Sequence, residues 1–378
     1  MKITFVTNYL GMLSFHKILI PEITKYGDEL VFVDYGSWAI RDSSGVIIRS
    51  YAKSLGSYIL KIPYVRRYFH FLYRMRLKKM IKSIGKTDTC LVWPIQKCCA
   101  ENHKILRSFS TKLVIGYAGG DFHLVDDRVR DLHYPLLDKC DTLIYSSDTY
   151  LSRVLSYFGD KYREKAYYSP LWIELLEYMD DKLLTKEMFD SRYEIGPDTK
   201  VVAIGYNGRR PQRHDLFVDL TKNILRDKGD LLLMIQATYA LENKYKNELL
   251  TLFSQHNIAY RLITDYMSYE ELALYRMYCD IVISIQTLDA SSGSLLEHLA
   301  GGAVVIVGDW LPYDHWIDKG IHYHKTSLER LPNVLRYCID NLDSEKKLCK
   351  KNMEIIRSYY SKDALAPIRR QVLGITKA

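Results

Sequence analysis

The sequence predicts an α/β protein made of two doubly wound, mostly parallel domains that face each other across a cleft. Three observations predict it. The chain has 378 residues, too many for one ordinary domain and about right for two. Short runs rich in Val and Ile alternate with helical stretches, in two series. Residues 281–308, IVISIQTLDASSGSLLEHLAGGAVVIVG, spell out one parallel crossover unit of strand, small-residue loop, helix and strand.

The first series places strands at Lys2–Thr7, Glu29–Asp34, Thr89–Trp93, Lys112–Tyr117 and Thr142–Tyr145. Helices are expected around Ala100–Phe109 and Thr149–Tyr157. Glu174–Lys200 is charged and less regular and closes on Gly196-Pro197-Asp198, which reads as an interdomain connection with a lead-in helix. The second series places strands at Lys200–Gly205, Leu231–Gln236, Ala259–Ile263, Asp280–Ile285, Ala303–Val307 and Ile321–His324. Its helices fall around His214–Asp227, Asn243–His256, Tyr269–Cys279 and Gly293–Leu299, and Glu345–Tyr360 is helical in pattern. The domains are expected at 1–175 and 176–349, with a C-terminal helix at about 350–378 packing back on the first.

Composition narrows the class. Hydrophobic content is 48% and charged content 26%, enough apolar residue to fill two cores. The 31 Tyr suit packed cores and also sugar-stacking surfaces. The seven Cys are scattered through apolar segments with no metal-ligand spacing, which points to a reducing cytoplasm. MKITFVTNYL lacks the apolar length of a signal peptide, and no run is long enough to span a membrane. His322 and His324 stand without a recognisable carboxylate partner, so no metal and no cofactor are expected.

Net charge is +8 and concentrated. Residues 66–86 carry Arg66, Arg67, Arg74, Arg76, Lys78, Lys79, Lys82 and Lys86 with no acidic residue, interleaved with aromatic and aliphatic side chains. A helix of this composition suits an anionic membrane surface, or is a solvated face whose apolar side joins the core. Nucleic acid is not expected as a partner, because no recognised nucleic-acid-binding motif is present.

Four segments carry the candidate chemistry. In 281–308 the loop lies at the carboxyl end of a strand and the amino end of a helix. Free amides of Ser292, Gly293, Ser294 and Leu295 and the helix dipole favour a phosphate there. Glu297 lies one turn further in, where a carboxylate accepts hydrogen bonds from sugar hydroxyls, and Asp289 lies on the loop side. The second segment, Gly205-Tyr206-Asn207-Gly208-Arg209-Arg210 with Arg213 beyond, offers glycines for close backbone approach and arginines for phosphate oxygens. The third, Thr264 to Leu272, holds Tyr266, Met267 and a Ser268/Glu271 capping box. The fourth, Ile115 to His123, ends in a Gly-rich turn with Asp121 and His123. Either residue could position or deprotonate a hydroxyl, or Asp121 could simply cap the turn.

The chain resembles glycosyltransferases of the two-Rossmann-domain (GT-B) type, in particular the large family four (glycosyl transferases group 1) clan of bacterial polysaccharide transferases. The likeness covers the second half well and the first half weakly. Asp289, seven residues, Glu297 and then AGGAVVIV reproduce the family's spacing, with Asp in place of the usual first Glu and Ala303 in place of the usual Pro. The resemblance implies that Glu297 holds the nucleotide's ribose and Asp289 contacts the donor sugar. It further implies that the Ser292–Leu295 amides and Gly208, Arg209, Arg210 or Arg213 serve the diphosphate, and that the backbone near Tyr266 and Met267 meets the base. Asn8, Tyr9, Gly11 and His16 are the matching acceptor-side candidates.

The implied reaction is transfer of a sugar from a nucleotide diphosphate-sugar to a hydroxyl of a saccharide or lipid-linked saccharide, as in bacterial lipopolysaccharide or capsule synthesis. The spacing leans towards retention at the anomeric carbon, and Asp121 would lead as base if the enzyme inverts. The alternatives are a nucleotide-sugar 2-epimerase-like enzyme and a non-catalytic binding protein of the same architecture.

Overall fold

The computed structural model describes residues 1–7, 20–21, 27–35, 37–44, 46–50, 70–170, 172–289 and 291–375, with only the backbone of 70–73. The chain forms two compact units, Met1–Leu171 with Lys362–Ala378, and Trp172–Ser361.

Unit 1 is built on an eight-stranded sheet. In chain order its strands are β1 (Lys2–Thr7), β2 (Glu29–Asp34), β3 (Ala39–Arg41), β4 (Ile47–Ser50), β5 (Thr87–Val92), β6 (Ser110–Gly116), β7 (Thr142–Tyr145) and β8 (Ala166–Tyr168). Their order across the sheet is β4-β3-β2-β1-β5-β6-β7-β8. All pairs are parallel except β2–β3 and β3–β4. That antiparallel edge was not expected. Ile47 and Ile48 on β4 are exposed, so the strand lacks the buried pattern by which a parallel strand is recognised. The five expected strands are all present, with β5 and β6 each beginning two residues earlier than predicted.

Unit 2 carries β9 (Lys200–Ile204), β10 (Leu231–Gln236), β11 (Tyr260–Ile263), β12 (Ile281–Ser284), β13 (Val304–Gly308) and β14 (His324–Thr326) in the order β11-β10-β9-β12-β13-β14. Every pair is parallel. Both faces are buried, because successive side chains alternate between two clusters. Val201, Ala203, Met234, Val282 and Val305 face one. Val202, Ile204, Leu233, Ile283 and Ile306 face the other. The last strand starts at His324 rather than Ile321, since the His322 N–H and carbonyl are bound by the Asn352 side chain and not by β13.

The divisions differ from the expected ones at both crossings. Unit 2 begins at Trp172, and Ile173 N donates to Tyr360 O. The lead-in helix forms as Lys186–Tyr193 and packs the fully buried Phe189 into unit 2's core. Ile356 and Tyr360 of the helix Asn352–Tyr360 join that core too, so the return to unit 1 starts at Lys362 and not near 350. From there Val372, Leu373 and Ile375 pack beside Ile3 and Phe5, and Arg369 Nη2 donates to Pro170 O at 2.7 Å.

Candidate functional site

In unit 2 the connections leave β9 in one direction and β12 in the other. Strand order therefore reverses between β9 and β12, where ligands of doubly wound sheets bind at the carboxyl ends. The loops after these two strands are tied together. Gln212 Nε2 donates to Gln286 Oε1 at 2.7 Å and Thr287 N to Pro211 O at 3.0 Å. Between them lies a small recess bordered by Gly205, Tyr206, Gln212, Ser284, Ser294 and Leu295.

Gly205 has φ +74°, and a Cβ there would lie 2.4 Å from His214 Nε2. Gly208 is required by packing inside the protein. A Cβ would come within 2.5 Å of Leu241 Cα, so its close approach is to the chain and not to a ligand. The arginines divide. Arg210 points outward, 2.7 Å from Glu248 and over the Tyr245 ring. Arg213 turns back to Ile285 O at 3.5 Å and stacks on Trp310. Arg209 is exposed and has no carboxylate partner among the described residues.

Ser292 caps the helix Gly293–Ala300, its Oγ accepting from Leu295 N at 3.3 Å. This uses the Leu295 amide and leaves those of Gly293 and Ser294 without a hydrogen-bond acceptor among the described residues. Among the described residues outside its own helix, the nearest atom a Cβ on Gly293 would meet is Ile173 Cδ1 at 3.7 Å, so the first turn is open on that side. Asp289 is held from the protein side. Tyr313 Oη donates to its Oδ2 at 2.6 Å and Gln286 Nε2 donates to the same oxygen. Burial, then Asp289, pushes the Tyr313 phenol well above its ordinary range, so it stays a donor.

Glu297 is mostly buried and is bound by Arg276. Arg276 Nε donates to Glu297 Oε2 at 2.8 Å, and Nη1 donates to Gln236 Oε1 at 2.8 Å and to His298 Nε2 at 2.9 Å. Burial first, and then the guanidinium, holds the His298 imidazole well below its usual pKa, so it accepts as a neutral ring. Sequence reasoning missed Arg276, Gln236, Gln286 and Tyr313. Arg276 breaks the apolar face Ala273–Leu274–Tyr275, the one sign in sequence of a buried charge in this helix.

The Ser268 capping box forms, with Glu271 N to Ser268 Oγ at 3.2 Å and Ser268 N to Glu271 Oε2 at 3.0 Å. Tyr266 projects into solvent, 77% exposed, while the Met267 sulfur meets Tyr193 Oη at 3.5 Å. Beside them Tyr178 and Tyr269 stack at 4.7 Å, and Tyr269 Oη donates to Glu174 at 2.7 Å.

In unit 1 the structure separates the two base candidates. Asp121 is buried, with Oδ1 accepting from Ala118 N and Gly119 N at 2.9 Å each and Oδ2 from Ile95 N at 2.9 Å. Burial pushes its carboxyl up to about 7 against the pull of those amides. Both oxygens are engaged by main chain, which is the turn-holding role. His123 is half-buried between the Phe122 and Tyr150 rings, and its Nε2 is buried with no partner among the described residues. Burial, then Arg153 and Arg130, lowers its pKa and keeps the ring neutral. Asn8, Tyr9, Gly11 and His16 lie outside the described residues.

The basic segment forms the helix His70–Ile84, with 66–69 outside the described residues. Leu77, Met80 and Ile81 are fully buried, so this apolar face belongs to the core. Lys78, Lys79 and Lys82 are exposed. No helix among the described residues is long and apolar enough to cross a membrane. His322 and His324 do have a carboxylate partner, Glu345, brought in from a helix distant in sequence.

No protein-family profile matches the chain, and no curated protein matches it in sequence. Solved structures match along its whole length. A glycosyltransferase from Rickettsia africae superposes with TM-score 0.73 at 13% identity, covering 100% of this chain and 99% of that one. HepE from Anabaena, solved with UDP, gives 0.73 at 12%, covering 99% and 100%. Sucrose-phosphate synthase from Thermosynechococcus elongatus gives 0.70 at 13%, covering 100% of both. The chain has the GT-B fold of the glycosyltransferases.

Proposed function

We propose that the chain is a glycosyltransferase that binds a nucleotide diphosphate-sugar on unit 2 and moves the sugar to a hydroxyl acceptor. One observation carries the reading. At the β9/β12 switch point an open, Ser292-capped helix start presents the Gly293 and Ser294 amides, and one turn in stands a carboxylate, Glu297, fixed by Arg276. The amides suit the diphosphate and the fixed carboxylate suits ribose hydroxyls. HepE, which shares the fold, was solved with UDP and with UDP-glucose, which supports a nucleotide-sugar as ligand.

Arg213 and Arg209 are the cations for the leaving group, since Arg210 is engaged by Glu248. In the transfer the bond from the anomeric carbon to the diphosphate oxygen breaks as the acceptor oxygen bonds to that carbon. The acceptor's proton passes to the departing diphosphate or to a neutral base, and His123 suits that role better than Asp121. Retention and a saccharide or lipid-linked acceptor in surface polysaccharide assembly extend the reading. The exposed lysines near residue 80 suit an anionic membrane surface.

The test is a thermal-shift screen of UDP, GDP, TDP and CMP, followed by nucleotide-sugar turnover with the preferred base. A nucleotide at a hundred times its Kd stabilises by about 2.7 kcal/mol, so one base should stand out. No shift with any nucleotide sinks the reading. Because Asp289 is already engaged by Tyr313 and Gln286, a binding protein without activity is the second reading. A shift with no turnover identifies it.

A further inference from the structure

We propose that His322, His324 and Glu345 form a binding site for one divalent transition-metal ion of the zinc class. The site lies at the edge of unit 2's sheet. His324 opens β14, in register with Ile306 of β13. His322 is two residues earlier, on the same side of an extended chain. Glu345 comes from the helix Leu342–Cys349 and is 3% exposed.

Three donors converge. His322 Nε2 and His324 Nε2 lie 3.1 and 2.8 Å from one oxygen, Glu345 Oε2. The three ligand atoms fall within 4.8 Å of one another. An ion bound at about 2.0–2.1 Å in a tetrahedral field holds its ligand atoms about 3.3 Å apart, so the two nitrogen–oxygen separations need to open only slightly. Two neutral imidazoles with one carboxylate are a borderline donor set that favours zinc, cobalt or nickel over magnesium or calcium. Both rings are partly exposed, 33% and 21% by side chain, which leaves a path for the ion and a position for water.

The surroundings fix the ligands. Asn352, fully buried, clamps the His322 backbone on both sides, Oδ1 accepting from His322 N and Nδ2 donating to His322 O, each at 2.9 Å. The Tyr337 ring stands edge-on to the His324 ring, centroids 6.2 Å apart. Such outer partners orient first ligands in built metal sites. An ion here staples the edge strand β14 to the helix behind it. Tyr323, between the two histidines, donates to Tyr313 O at 2.8 Å, and the Tyr313 hydroxyl reaches Asp289, so the staple adjoins the loop that shapes the candidate donor site.

The test uses the full chain stripped with EDTA and titrated with Co(II) or Zn(II) chloride. The expected result is one ion per chain, with the visible absorption of four-coordinate cobalt, no near-ultraviolet thiolate band, and a rise in Tm with zinc. His324→Gln and Glu345→Gln should abolish both signals, and His256→Gln should leave them unchanged. Glu345→Gln keeps an acceptor for the ring N–H groups, so it separates metal binding from simple hydrogen bonding. If it fails to fold, His322→Gln at the more exposed ring replaces it. No uptake at tens of micromolar metal, a thiolate band, or uptake that survives both substitutions would overturn the proposal.

Discussion

Arg276 Nε meets Glu297 Oε2 at 2.8 Å, with the guanidinium 3% exposed and the carboxylate 18%. The same guanidinium also binds Gln236 and His298. The carboxylate at the candidate ribose position is therefore held in place before any ligand arrives, and its charge is balanced by a neighbouring helix. Preorganisation of this kind lowers the cost of binding, because the side chain is already ordered.

Removing Arg276 should cost stability as well as binding. Arg276→Met leaves Glu297, Gln236 and His298 without their donor, and breaking such a buried pair costs about 3–5 kcal/mol. Urea unfolding measures it. Glu297→Ala should abolish donor use, but it strands the buried guanidinium. Glu297→Gln retains an oxygen for Arg276 and is the cleaner test. Its expected outcome is a fold close to the parent's with nucleotide-sugar turnover lost. Full activity in Glu297→Gln would remove this residue from the site.

Tyr313→Phe should separate the loop's geometry from the ring's packing. The ring stacks on Trp316 at 4.3 Å, and Phe preserves that contact. Loss of the hydroxyl takes one donor from Asp289, at a cost of about 1–2 kcal/mol. If Asp289 must be aimed at the sugar, kcat should fall while UDP affinity holds, and steady-state kinetics beside calorimetry will show whether it does.

Two glycine substitutions should behave oppositely. Gly208→Ala drives a methyl into the Leu241 backbone and is expected to destabilise by about 1–3 kcal/mol. Gly293→Ala meets only Ile173 Cδ1 at 3.7 Å, so Tm should barely move. Its methyl would stand at the open helix start, so nucleoside diphosphate binding should weaken. Unchanged binding in Gly293→Ala would place the phosphates elsewhere.

Acid should destabilise the protein between pH 6.5 and 4. His133 and His214 are fully buried, and burial lowers each to about 4. Above pH 6.5 both folded and unfolded rings are neutral. Below it the unfolded rings take protons that the folded ones refuse, so each contributes a loss of up to about 3 kcal/mol by pH 4. Asp121 works the other way. Its carboxyl, raised to about 7, favours the fold at low pH, and that contribution disappears as pH rises through 7. With His298 also held neutral by burial, three imidazoles outweigh one carboxyl. Tm followed against pH should fall on acidification, less steeply in His214→Gln and more steeply in Asp121→Asn.

Much of the fold was legible because it depends on local pattern. β1, β2, β7, β10 and the helix His214–Asp227 fall where periodicity puts them, since their apolar runs are buried on a regular repeat. The exposed edge strand β4 carries no such pattern, and β3, with three residues, is too short to show one. The crossing near Lys362 was misplaced because helices on either side of it look alike in sequence, and only their docking partners differ.

The sequence by itself determined the alternating architecture, the Ser292 and Ser268 caps, and the spacing of Asp289 and Glu297. Each is set by neighbours within a few residues. Tertiary structure alone decided the partners. Arg276 reaches Glu297 across helices, Tyr313 reaches Asp289 across a helix and a strand, and Glu345 completes a trio with His322 and His324. Main-chain amides claim Asp121, while the apolar side of the basic helix is taken by the core. Such choices follow from which side chains share a buried space, and long-range packing fixes that space.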